Sequence, residues 1–258
     1  MPRKSTAFAC LIALAAIAAC SGDSSKSGEP ASPAAAPDAK KVDTATAATI
    51  KGRVVLEGTP PANPVFKMTS DPACGSGEVH GESYLVDNGN LQNVFVHIKD
   101  GLGNKYIFDT PTEPVKLDQK GCHYVPHVVG VRVTQPLEVS NSDETLHNVH
   151  GMAQTNREFN QGQPIVGMKN TVTFTAPEVM IPFKCDVHSW MSAYVGAVSH
   201  PYFAVTGKDG TFELKTVPPG TYTIEAWHEK LGRQTQTVTL GEKDSKDVNF
   251  TFKVGATQ

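Results

Sequence analysis

Short runs of alternating apolar residues, broken every few positions by Gly, Pro, Asn and Asp, leave this chain little choice but β-structure. Val54 and Leu56; Val94, Val96 and Ile98; Val129, Val131 and Val133; Val172 and Phe174; and Tyr222 and Ile224 each line up on one face of an extended strand. No stretch carries the apolar period of a long helix. Asn88-Gly89 and Asp209-Gly210 are hairpin signals because Gly accepts positive φ, and Pro218-Pro219-Gly220 marks another reversal. The expected class is all-β, built as antiparallel sandwiches.

The N-terminus obeys different rules. Arg3 and Lys4 precede an apolar run from Ala7 to Ala19 that is too short for a stable membrane span, so residues 1–19 read as a signal peptide. Ile17-Ala18-Ala19-Cys20 resembles a bacterial lipobox. That resemblance implies lipidation of Cys20 and an exported periplasmic or cell-surface lipoprotein, anchored to a bacterial membrane by its N-terminal lipid. Residues 20–47 are mostly Ser, Gly, Ala, Pro, Lys, Asp and Thr, a composition that buries little and reads as a disordered tether. Loss of Arg3 and Lys4 leaves 21 basic residues (23 − 2) against 26 acidic ones, with no basic block, which argues against nucleic acid as a partner.

The most informative local pattern is Cys185-Asp186-Val187-His188-Ser189-Trp190-Met191. Its Cys-x-x-His-x-x-Met spacing lets one tight loop at a strand end turn three side chains onto a single ion. One soft thiolate, two imidazoles and a weak thioether suit copper that shuttles electrons. Structural zinc draws on more cysteines, and catalytic zinc on more histidines or a carboxylate. A binuclear copper loop needs a second cysteine, and this loop has one.

Tyr124-Val125-Pro126, Val129 to Val133, Gln135 to Asp143, Leu146-His147-Asn148-Val149-His150 and Phe183 to Met191 follow one another as in the amicyanin and plastocyanin families. Residues 113–200 thus resemble a cupredoxin. The resemblance implies a Greek-key sandwich and one mononuclear copper ion bound by His147, Cys185 and His188, with Met191 as axial ligand. It also implies electron transfer to a redox partner protein through an exposed edge of His188. Asn148 then joins the two ligand loops by hydrogen bonds, and Phe183, on the strand face of Cys185, buries the thiolate.

A second resemblance is to the transthyretin-like, carboxypeptidase-regulatory type of β-sandwich. Gly207-Lys208-Asp209-Gly210-Thr211-Phe212 and Val217-Pro218-Pro219-Gly220-Thr221-Tyr222-Thr223-Ile224 carry it. Ile50-Lys51-Gly52-Arg53-Val54, Thr59-Pro60-Pro61 and Asn93-Val94-Phe95-Val96 supply a first half. The expected layout is a sandwich split into 48–112 and 201–254 around a cupredoxin at 113–200. The alternative is two consecutive domains, with 48–199 forming one enlarged cupredoxin. Pairing of the strand at Ile50 with strands near Tyr222 favours the first, and pairing with Val133 the second.

Cys10 falls in the signal peptide, so Cys74, Cys122 and Cys185 remain, an odd number for an oxidising compartment. The neighbours of Cys185 give a reason to keep it a free thiolate, which leaves Cys74 and Cys122 to form a disulfide; the alternative keeps all three reduced. His150, three positions past His147, takes the opposite strand face and reads as structural. His123 and His127 could join His80 in a second metal site, with surface or packing roles as the plainer reading. Trp190 reads as packing at the site rim.

No Ser nucleophile elbow, His-Glu-x-x-His or phosphate loop accompanies these residues, and the expectation is a non-enzymatic electron carrier. Its rivals are a copper storage or sensing protein, and a carbohydrate or cell-surface binding module without a redox role.

Overall fold

The computed structural model describes residues 36–68, 71–75 and 77–255. The expected signal peptide at 1–19, the lipid site at Cys20 and tether residues 21–35 lie outside the described residues. Within them the chain is all-β: strands throughout, and a single 3-10 turn at Pro72–Cys74. No helix there is long and apolar enough to cross a membrane.

The strand Ala48–Glu57 organises one sandwich. It pairs antiparallel with Thr211–Val217, placing Ile50 opposite Leu214, and runs parallel to Ser245–Asp247 and Phe250–Lys253. Its other antiparallel neighbour is Asn90–Leu91, which closes a hairpin with Val86–Asp87. Asn88 and Gly89, at the hairpin tip, both have positive φ, the backbone that a two-residue turn of this twist demands. The facing sheet runs Phe203–Val205, Phe95–Asp100, Gly220–His228, Gly232–Leu240. Tyr222 thus sits in the sheet opposite Ile50, and the strand at Ile50 has no pairing with Val133. Ile50, Val54, Leu91, Ile224 and Phe250 are fully buried between the two sheets.

The second sandwich comes from the middle of the chain. One sheet runs Lys169–Val172, Leu137–Asn141, Val115–Gln119, Tyr124–Val125; the other runs Phe159–Gln163, His147–Gly151, Glu178–Lys184, Ser192–Val198, Val128–Arg132. Leu117, Leu137, Val139, Val149, Phe174 and Phe183 fill its core.

The two sandwiches meet at a seam where glycines admit aromatic rings. Gly130 and Gly196 are register partners in adjacent strands, and the Phe95 ring lies against both. A Cβ on Gly196 would stand 2.6 Å from Phe95 Cζ, and one on Gly130 would stand 2.3 Å from Phe203 Cε2. A buried polar link crosses the same seam: His127 Nε2 lies 2.7 Å from Glu229 Oε1, and the Tyr194 hydroxyl donates to Glu229 Oε2 at 3.2 Å.

One boundary differs from the sequence expectation. The stretch 36–47, read as the end of the tether, lies against the fold. The Ala36 and Lys40 amides donate to the carbonyls of Asn104 and Lys105, the Ile107 amide donates to the Lys40 carbonyl, and Lys41 pairs with Asp109. Backbone pairing with a loop needs no apolar side chains, which is why composition missed it.

Two outcomes follow from this packing. Gly196→Ala forces a methyl into the Phe95 ring and is expected to cost about 1–3 kcal/mol in denaturant unfolding. Gly162→Ala, where nothing lies within 4 Å of the added atom, is the matched control; equal costs would refute the seam. The second outcome concerns pH. His200 donates from Nε2 to the Ile98 carbonyl and accepts the Tyr202 amide at Nδ1. Burial pushes its pKa down to about 3, and that of His228 to about 4. Both rings titrate near 6.5 when unfolded, so their contribution is complete above that pH and is lost as pH falls towards the folded values. Unfolding free energy should therefore drop between pH 6.5 and 5, with a shallower slope in His200→Gln; an unchanged slope would contradict this.

Candidate metal centre

Asn141 builds the first ligand loop. Fully buried, its side-chain amide donates to the carbonyls of Thr145 and Gln163, each at 2.8 Å, and its oxygen accepts the Asp143 amide. The turn so made delivers His147 as the first residue of its strand, opposite Gln163 and with no solvent exposure. The second loop closes on itself. Cys185 directly follows the strand Glu178–Lys184, its amide donates to the Met191 carbonyl at 3.2 Å, and the Met191 amide donates to the His188 carbonyl at 2.9 Å. The His188 amide points at Cys185 Sγ from 3.4 Å.

These loops bring three donors to one point. The donor atoms of His147, Cys185 and His188 lie within 4.8 Å of one another, and all three residues are buried. His147 Nδ1 and His188 Nδ1 are 3.0 Å apart, and His188 Nδ1 is 4.0 Å from the Cys185 sulfur. Among the described residues Cys185 is the free thiol, and Cys74 and Cys122 are disulfide-bonded. Met191 is buried in the same core cluster as Cys185, brought there by its backbone bonds to Cys185 and His188.

The far edge of each ring meets a carboxylate. His147 Nε2 lies 2.9 Å from Asp143 Oδ2, and His188 Nε2 lies 3.1 Å from Asp71 Oδ2. Burial pushes the Asp143 carboxyl up, but the Cys122 and Gly121 amides and His147 outweigh it and hold the group below its ordinary value. Asp71 is held down chiefly by the Thr145 hydroxyl, then by the Ala73 amide. Both are therefore carboxylates that only accept, and the two Nε2 atoms carry the protons. Burial keeps His147 below its usual pKa and hence neutral. With a proton on each Nε2, the two Nδ1 lone pairs face each other at 3.0 Å, an arrangement that a shared cation would satisfy. The donor set, one cysteine sulfur and two imidazole nitrogens in a buried pocket, fits a copper ion.

The supporting residues fall as follows. Asn148 Oδ1 accepts the Asp186 amide at 2.5 Å, bridging the two ligand loops. Phe183 is buried beside Cys185 and packs edge-on against Phe159. The Tyr124 hydroxyl donates to the carbonyls of Asn148 and Lys184, tying together the residues adjacent to both loops' ligands. His150 turns away to Asp186 and Glu158. His127 pairs with Glu229 and Glu82, and among the described residues the metal-capable groups of three include none of His80, His123 and His127.

His188 itself departs from expectation. It is 2% exposed, so it offers no free edge. The turn Asp71–Cys74, carried on the hairpin Val65–Lys67/Glu78–His80, lies over it and is bonded through Cys74 to Cys122. Cys74 Sγ is 3.7 Å from His188 Nε2. Trp190 stacks at a tilt, 5.1 Å from the His188 ring, and donates to the Cys122 carbonyl. Sequence reasoning missed Asp71, Asp143 and Thr145. Asp143, four residues before His147, was within reach of a local reading; Asp71 becomes visible only once the disulfide places residue 74 beside residue 122.

Comparison with known proteins gives a family match over part of the chain. Residues 192–253 match the carboxypeptidase regulatory-like domain. The match begins in the strand Ser192–Val198, which pairs within the sheet that bears His147, and leaves 48–112 uncovered. No curated protein matches the chain. Among solved structures the chain is similar to an oxidised mutant of amicyanin, with 17% identity, 40% of this chain and 97% of that chain covered, and a TM-score of 0.31. A purple cupredoxin from Nitrosopumilus maritimus aligns at 17% identity over 32% of this chain and 98% of that one, with a TM-score of 0.28. A copper-containing nitrite reductase from Thermus scotoductus SA-01 aligns at 21% identity over 33% of this chain, with a TM-score of 0.31; only 22% of the reductase is spanned.

Proposed function

We propose that this chain is an exported type 1 copper protein that transfers single electrons and performs no substrate chemistry. The observation that carries the reading is the convergence of His147 Nδ1, His188 Nδ1 and Cys185 Sγ, with both Nε2 protons committed elsewhere. His147, Cys185, His188 and Met191 would hold the ion. Copper supplies the one-electron couple; the residues supply a rigid, water-free frame that suits both oxidation states. In this reading residues 113–200 form the cupredoxin unit, set between halves 48–112 and 201–254 of the other sandwich, the one organised by Ala48–Glu57, which serves as a spacer or docking module. Cys20 anchors the whole to a bacterial membrane by its lipid.

The electron route takes account of the covered ring. Pro72 and Ala73 are exposed and lie one layer above His188, so a redox partner protein would meet the Pro72–Ala73 surface. The same cover favours a second reading, copper storage or sensing, in which the sealed ion is held without passing electrons.

Copper titration of the full chain decides. The carrier reading expects one ion per chain, an intense visible thiolate-to-copper band, reversible voltammetry, and loss of the band in Cys185→Ser. Copper uptake without that band, unaffected by Cys185→Ser, would remove the type 1 reading. A band with no reversible couple would favour storage or sensing.

A further inference from the structure

The carboxylate at the outer edge of His188 comes from a distant part of the chain and reaches both ligand loops. Asp71 Oδ2 lies 3.1 Å from His188 Nε2 and accepts the hydroxyl of Thr145, two residues before His147. Asp71 Oδ1 accepts the Ala73 amide at 2.9 Å, which folds the turn. Both oxygens are thus engaged, and the side chain is 21% exposed. Three positions later, Cys74 is bonded to Cys122, whose carbonyl accepts the Trp190 indole of the second ligand loop and whose amide donates to Asp143. The Asp71 turn is therefore fastened at the place where the carboxylates of both histidines converge.

We propose that Asp71 is a positioning residue of the copper centre: it holds the His188 ring by its Nε2 proton, aims Nδ1 at the ion, and lowers the reduction potential. The inference rests on the type 1 reading for its effect on potential, and on the chain alone for its effect on the ring. A carboxylate that accepts the distal N–H of a metal-binding imidazole fixes the tautomer and strengthens the ring as a donor, and such partners typically contribute ten- to a hundredfold in metal affinity. Extra donor strength favours the cupric over the cuprous ion. Should that factor fall wholly on the cupric state, its loss raises the potential by about 60–120 mV at 59 mV per tenfold. In the metal-free chain, removing Asp71 frees the ring to place its proton on Nδ1, where the His147 Nδ1 lone pair waits at 3.0 Å.

Two measurements on the full chain test this. Long-range proton–nitrogen NMR of the metal-free protein, above pH 7, should find the His188 proton on Nε2 in the native chain and on Nδ1 in Asp71→Ala. Voltammetry of the copper-loaded isosteric variant Asp71→Asn should give a higher potential with the visible band retained and a near-native melting temperature. An unchanged tautomer in Asp71→Ala, or an unchanged potential in a folded, blue Asp71→Asn, would overturn the proposal. If the native chain itself shows no thiolate band, the type 1 reading fails, and the NMR experiment alone decides the role of Asp71.

Discussion

Two imidazole Nδ1 atoms held 3.0 Å apart, each ring backed by a carboxylate at Nε2, are the constraint around which the middle of this molecule is organised. With a proton on each Nε2, the two Nδ1 lone pairs and the nearby thiol form a donor set that a shared cation would satisfy. The protein enforces the arrangement from behind, with Asp143 on one ring and Asp71 on the other. Each carboxylate is itself locked by other donors, so neither can turn to release its imidazole. Around them, Asn141 shapes one loop, the Cys185–Met191 backbone bonds close the other, and Asn148 and Tyr124 tie the two together.

The segments that flank the middle sandwich are more than an appendage to this centre. The hairpin Val65–Lys67/Glu78–His80 carries Asp71 and Cys74 onto His188, and the disulfide to Cys122 fixes that contact. Elsewhere, Phe95 packs on Gly130 and Gly196, and Glu229 reaches His127. The site is thus gripped from two sides by elements that precede and follow it in the chain. A ring left bare at a sandwich tip would trade electrons freely but would be less firmly oriented; here orientation is secured by a thin cover.

Much of this was legible in the sequence. The strand alternation and the Asn88-Gly89 turn are local, and the hairpin forms where the turn chemistry places it. That Cys185, His188 and Met191 share one loop is legible because they stand within seven consecutive residues, and the resemblance to cupredoxins singles out His147, which the fold brings beside them. What sequence could not show depends on contacts between remote segments. The burial of His188 arises from a turn more than a hundred positions earlier, and the fit of Phe95 over Gly130 and Gly196 joins different sandwiches. Residues 36–47 look like spacer by composition, yet backbone hydrogen bonds, which composition does not report, lay them on the fold.

The central claim is that His147, His188 and Cys185 bind one copper ion together. Copper K-edge X-ray absorption of the full chain carrying one equivalent of metal tests it most directly. The account predicts an inner shell of one sulfur and two imidazole nitrogens, with the sulfur lost in Cys185→Ser. An inner shell of nitrogen and oxygen alone, indifferent to that substitution, would contradict it.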